Sequence, residues 1–174
     1  MRVFCHDESR LGLHLPTRRR VTGFGVKPLQ VVEPLYESYW WYAAVAPRTG
    51  DAFWWEWSCL DAACFTLLLQ KFGQPYAESL NMVLLDQAPA PVAHRVEVPE
   101  NVVLVWLPAS SPELNPVERL WEDLKARMDV MDARVRASLS ALQEHVASIV
   151  QRYTAATIAS LTGYAYLMEA VHDL

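Results

Sequence analysis

Apolar and polar positions along the chain follow two different rhythms, one before about residue 60 and one after residue 115. Arg2 to Asp7 is a short apolar run, and Gly12-Leu13-His14-Leu15 reads as a strand that pairs with it before Pro16 interrupts. Thr17 to Pro28 holds three arginines, two glycines and a proline and reads as a loop. Tyr36 to Val45 and Asp51 to Ser58 are aromatic and β-rich, and the turn Pro47-Arg48-Thr49-Gly50 between them predicts a hairpin. Leu60 to Phe72 switches to helical spacing, with Asp61 to cap its start and Gly73 its end. Leu80 to Asp86 and Val102 to Leu107 are apolar enough for buried strands, separated by the proline-rich segment around Pro89-Ala90-Pro91. Pro108 to Pro112 is a loop. Helical spacing then returns from Pro116 to about Met131 and over a longer stretch, Ala133 to Tyr153. A short turn over Ala155 to Leu161 and a last helix from about Tyr164 to Val171 complete the set. Strands first, then strands mixed with helices, predict an α/β fold: a mixed sheet covered by helices.

The chain of 174 residues predicts one domain, residues 1–174, with a substantial core. An apolar fraction of 52% against 20% charged residues is globular composition, and no run approaches a membrane span. The start, Met1-Arg2-Val3, leads into a strand rather than a signal peptide. Cys5, Cys59 and Cys64 sit in apolar surroundings and are expected as buried thiols in a reducing compartment. The net charge of −5 counts against a free-standing DNA binder, which usually carries a basic face. The one dense basic cluster is Arg18-Arg19-Arg20, and it has two readings: a solvated loop, or contacts to phosphate near Asp7.

Carboxylates placed at element ends carry the candidate chemistry. Asp7 and Asp86 each end an apolar run, and Glu118 falls in the first turn of the helix that starts near Pro116. Hard divalent cations take carboxylate oxygens, and two such ions can drive phosphodiester chemistry. Each residue also has a structural reading. Asn115 as N-cap, Pro116 at the first helical position and Glu118 three residues on form a capping pattern, in which Glu118 reaches back to the cap amide. Asp86 could open an Asx-turn. Asp7 competes with Glu8, since adjacent strand residues face opposite ways and alternation does not choose between them. Glu113 and Glu122 are the neighbouring rivals of Glu118, and His6 reads as a packed or surface histidine. Trp40-Trp41 and Trp54-Trp55 are adjacent pairs on the predicted hairpin. One of each pair therefore leaves the inner face, for a dimer contact or for covering by the terminal helices.

Four segments together resemble the catalytic domain of DDE transposases of the bacterial insertion-sequence branch related to the mariner superfamily. They are Asp7-Glu8-Ser9; Pro16 to Val21 with Gly25-Val26-Lys27-Pro28; Leu84-Leu85-Asp86-Gln87-Ala88; and Leu107-Pro108 through Trp121 with Leu124-Lys125, the last being the most specific. The short spacing from Asp86 to Glu118 is also similar. The resemblance implies a ribonuclease H-like mixed sheet and matches Asp7, Asp86 and Glu118 to the family's catalytic, metal-binding carboxylates, which hold two Mg²⁺ or Mn²⁺ ions. It implies endonuclease cleavage of DNA at transposon ends and strand transfer through the freed 3′-hydroxyl. DNA and a second copy of the chain are the implied partners, in the cytoplasm and at the nucleoid rather than at a membrane. The family's N-terminal helix-turn-helix region has no counterpart here, and Pro91 stands where relatives carry a histidine, with His94-Arg95 three positions on. Those departures leave an alternative: an inactive transposase remnant that binds DNA or a protein.

Overall fold

The computed structural model describes residues 1–13, 23–25, 36–58, 61–86, 95–128 and 134–170. Its centre is a five-stranded sheet in the order β3-β2-β1-β4-β5, built from β1 (Arg2–Gly12), β2 (Ser38–Val45), β3 (Ala52–Trp57), β4 (Asn81–Leu85) and β5 (Val102–Trp106). The first three strands are antiparallel neighbours, while β4 runs parallel to β1 and β5 parallel to β4. The expected hairpin is present, with Trp41 opposite Glu56 and Ala43 opposite Trp54. Gly50 closes its turn at φ +74°, where a Cβ would stand 1.9 Å from the Ala155 carbonyl oxygen, so only glycine fits.

β1 differs from the sequence expectation. It does not stop at Asp7 but continues unbroken to Gly12, and its second half pairs with β2, while His14 and Leu15 of the expected returning strand lie outside the described residues. The reason is that the partner changes along its length. Arg2 to Cys5 pair with β4, and Cys5 to Gly12 pair with β2. Asp7 therefore lies inside a strand, yet at the level where the parallel part of the sheet ends.

Helices cover both faces. α1 (Ala62–Gly73) is capped by Asp61, whose carboxylate accepts from the Cys64 amide, and it buries Leu68, Leu69 and Phe72 against Phe4, Tyr42, Ala44, Val83 and Val102. Gly73 is its last helical residue rather than a left-handed cap, and Asn101 donates to the Gly73 carbonyl at 3.0 Å. The other face carries α2 (Val117–Arg127), α3 (Leu139–Val150), α4 (Ala155–Thr162) and α5 (Ala165–Ala170). There Leu120, Trp121, Leu124, Leu142, Val146 and Ile158 pack on Cys5, Leu11, Trp41, Ala43 and Val45.

One further helix differs from expectation. The helix expected over residues 133–153 is shorter, because Ser138 caps it by accepting from the Ala141 amide. Of the two readings of the tryptophan hairpin, covering by helices is the one seen, with Trp41 buried and Trp40, Trp54, Trp55 and Trp57 half-buried. Trp41 and Trp54 pack under Trp121, while Trp40, Trp55 and Trp57 join the α1 side. The terminal helices and α1 have taken the apolar area between them. Cys5 is a buried free thiol as expected, whereas Cys64 is disulfide-bonded, which corrects the expectation for that residue. Among the described residues no helix is long and apolar enough to cross a membrane.

Candidate carboxylate site at the sheet edge

The register of the parallel strands brings the two aspartates level. Cys5 pairs with Leu84, so two residues further along each strand stand Asp7 and Asp86. Leu85 pairs with Trp106, and the chain then leaves β5 through Leu107 toward the motif helix α2. All three sequence-predicted carboxylates thus gather at the carboxyl-terminal edge of the parallel strands, where α/β sheets commonly bind ligands. Asp7 is 8% exposed, Glu118 half-buried and Asp86 exposed.

The loop into α2 is shaped by local chemistry. Ser110 takes φ 56°, and Pro112–Leu114 forms one turn of 3-10 helix. Asn115 follows, fully buried, and its side chain works in two directions. Its Nδ2 donates to the His6 carbonyl at 2.9 Å, and its Oδ1 accepts from the Val117 amide at 3.3 Å. The backbone amide of Asn115 donates to Pro112 O at 2.9 Å. That amide is the one a capping Glu118 would need, so the capping role drawn from the sequence is not realised, and Pro116 rather than Asn115 stands at the cap position.

One turn further along the same helix face, Trp121 donates its indole N–H to Asp7 Oδ2 at 2.9 Å, a buried hydrogen bond. Asn115, Glu118 and Trp121 are spaced by three, so they share one face. The first and last of them grip consecutive residues of β1, His6 and Asp7, with Glu118 between. Sequence reasoning included Asn115 and Trp121 in the motif but gave Trp121 no role and Asn115 only a cap. The three-residue spacing was the signal that tied them to Glu118.

Packing separates Asp7 from Glu8. Asp7 turns to Trp121 on the α2 face, while Glu8 lies on the α1 side and, after burial itself, raises the pKa of Tyr42. His6 also faces that side, packed near Phe65 and Tyr42 with ring centroids 5.4 and 6.1 Å away. Its Nε2 has no hydrogen-bond partner, and burial lowers its pKa to about 4, which makes it a neutral packed histidine. Glu113 and Glu122 are exposed.

Electrostatically the site is one-sided. Burial, then Glu8, Glu118 and Asp86, push the Asp7 carboxyl up to about 8. Burial, then Asp86 and Glu118, raise that of Glu8, and burial raises that of Asp86. No lysine or arginine among the described residues offsets the lift on Asp7. Clustered carboxylates without a cationic side chain are the donor set that hard divalent cations satisfy. Among the described residues, however, no three His, Cys, Asp or Glu side chains converge tightly enough to enclose an ion as they stand. A cleft of about 350 Å³ lined by Arg2, Ala46, Arg48 and Asp51 lies at the opposite end of β1 and belongs to none of this. Arg18, Arg19 and Arg20, and the segment with Gln87, Pro91 and His94, fall outside the described residues.

Comparison with known proteins bears on the fold and the family. The chain is 35% identical over 85 residues, 48% of its length, to the uncharacterized protein y4pE/y4sA of Sinorhizobium fredii, and covers 63% of that protein. Its fold matches a pre-cleavage Mos1 transpososome (TM-score 0.69, 14% identity) and the Mos1 strand transfer complex (TM-score 0.68, 14% identity). It also matches the Mos1 mariner paired end complex with Mn (TM-score 0.62, 15% identity). Each match covers 93% of this chain and 50–52% of the solved chain, so the chain spans about half the length of those proteins. At such identities the likeness establishes the fold, which is ribonuclease H-like. Residues 2–140 match the family described as DDE superfamily endonuclease, and the chain belongs to that family.

Proposed function

We propose that this chain is the catalytic domain of a DDE transposase that cleaves DNA at element ends and transfers the freed strand to a target. The observation that carries the reading is the gathering of Asp7, Asp86 and Glu118 at one sheet edge, with Asp7 held by the helix that bears Glu118. Asp7, buried and hydrogen-bonded to Trp121, would be the anchored ligand, and the half-buried Glu118 and the exposed Asp86 would supply the other carboxylates for two Mg²⁺ or Mn²⁺ ions. Such ions, when bound, activate the attacking oxygen and stabilise the leaving one. In hydrolysis a water oxygen bonds to phosphorus and a 3′-hydroxyl is released. In transfer that hydroxyl bonds to a target phosphorus and the target's own 3′-oxygen leaves. The protein positions the ions, and α2 keeps Asp7 and Glu118 in fixed relation through the chemistry. Arg18, Arg19 and Arg20 are assigned to phosphate contact on their charge alone.

Mn²⁺-dependent nicking of supercoiled DNA, abolished by Glu118→Gln, is the expected result, together with loss of calorimetric Mn²⁺ binding in Asp86→Asn. Unchanged Mn²⁺ binding in Asp86→Asn would sink the site. Metal binding without any cleavage would favour the inactive-remnant alternative.

A further inference from the structure

Asp7 is tied down by a neighbour whose chemistry suits a metal ligand. The indole N–H of Trp121 reaches Asp7 Oδ2 at 2.9 Å inside the protein. The donor cannot wander: Trp121 is 1% exposed, and its ring meets Trp54 edge-on at 5.9 Å, which in turn meets Trp41 at 6.0 Å. Asn115 pins the preceding residue of β1 by its carbonyl, so both the backbone and the carboxylate at this point are held by one helix face. An indole can donate but never carries charge. It therefore orients a carboxylate without neutralising it, whereas a lysine or arginine in the same place would cancel the charge that a cation needs. A buried indole also seeks any acceptor for its own sake. Here the acceptor is one of the three clustered carboxylates rather than a nearby carbonyl, and it is the only one of the three that is nine-tenths buried.

We propose that Trp121 is a positioning residue that sets divalent-metal affinity by holding the Asp7 carboxylate in its ligating orientation. The inference rests on the reading of Asp7 as a metal ligand. Partners that orient a metal ligand typically contribute 10- to 100-fold in affinity. Trp121→Phe keeps an aromatic ring but removes the N–H, and should weaken Mn²⁺ binding by about 10- to 100-fold in calorimetry on the full chain. Leu124→Val, which loosens the same helix without touching Asp7, should bind Mn²⁺ as the parent does. Equal weakening in both variants would show that packing alone is at work and would overturn the proposal. Asp86→Asn in the same series separates the two ideas. If it loses Mn²⁺ binding while Trp121→Phe keeps it, only the role of Trp121 fails; if it keeps binding, the site and this inference fall together.

A measurement on the parent chain covers the case in which Trp121→Phe does not fold. One indole N–H signal in the ¹H–¹⁵N NMR spectrum should shift in Asp7→Asn and broaden selectively when Mn²⁺ is added. A set of indole signals indifferent to both would overturn the proposal.

Discussion

Asp7 occupies a place where its charged form is costly. It is 8% exposed, and burial together with Glu8, Glu118 and Asp86 lifts its carboxyl to about 8, against about 3.9 in an unfolded chain. Below about pH 4 the group is neutral in both states and contributes nothing adverse. As pH rises toward about 8 the unfolded chain ionises freely while the folded chain resists, so stability falls across that window. Glu8 and Asp86 are shifted in the same direction. The metal-free chain should therefore melt at a higher temperature at pH 5.5 than at pH 8.5, and Asp7→Asn should flatten the difference. At pH 8 that variant should gain at least about 1 kcal/mol, or roughly 2–4 °C in Tm. Scanning calorimetry in EDTA checks it, and a slope equal to the parent's would mean that Asp7 titrates as an exposed group. The residue itself was legible in the sequence only as one of a pair. Asp7 and Glu8 are adjacent in a strand covered on both sides, so no pattern distinguishes them; what does is the packing of Trp121, 114 positions away.

Elements were legible where a local signal ends them. Asp61 starts α1, and the turn Pro47 to Gly50 makes the hairpin. They were misread where the determinant is a distant partner or a competing cap. β1 continues past Asp7 because β2 supplies a second edge to pair with, although Ser9 and Arg10 break the apolar run. α3 is shorter than its apolar spacing because Ser138 caps a later start, and Tyr153 beyond its end donates to Asp123 on α2. The hairpin turn shows how tightly these elements dock. A Cβ at Gly50 would need both a left-handed φ and space already filled by the Ala155 carbonyl at the start of α4. Gly50→Ala should cost roughly 2–4 kcal/mol. Urea unfolding measures it, and a loss under about 0.5 kcal/mol would show that turn and helix do not press together. The proposed metal site, at the far end of β1, should bind Mn²⁺ unchanged in that variant.

At the scale of the whole molecule, charge and buried area together bear on assembly. The proposed reaction joins two element ends and needs two active sites held on DNA; the tryptophan pairs of the hairpin had two sequence readings, a dimer contact or covering by the terminal helices. Much of that area is spent inside the molecule: Trp54 stacks on Tyr153 and meets Trp121, and Phe53 on the other side meets Phe72. A specific dimer interface needs at least roughly 1,000 Å² of complementary surface, and the hairpin's five tryptophans are all buried or half-buried. The net charge of −5 also sets copies of the chain against one another. Free in solution, then, the chain should be a monomer of 19.8 kDa at micromolar concentration. Duplex DNA carrying paired sites changes the balance, because it raises the local concentration of two bound chains. Divalent ions are expected to be needed as well, since the carboxylate cluster otherwise repels phosphate. Light scattering in EDTA, then with duplex and Ca²⁺, should move from one chain to two chains per paired duplex. A dimer already present in EDTA would contradict the assignment of the hairpin to the core, and one chain per paired duplex with Ca²⁺ would remove pairing from the functions of this chain.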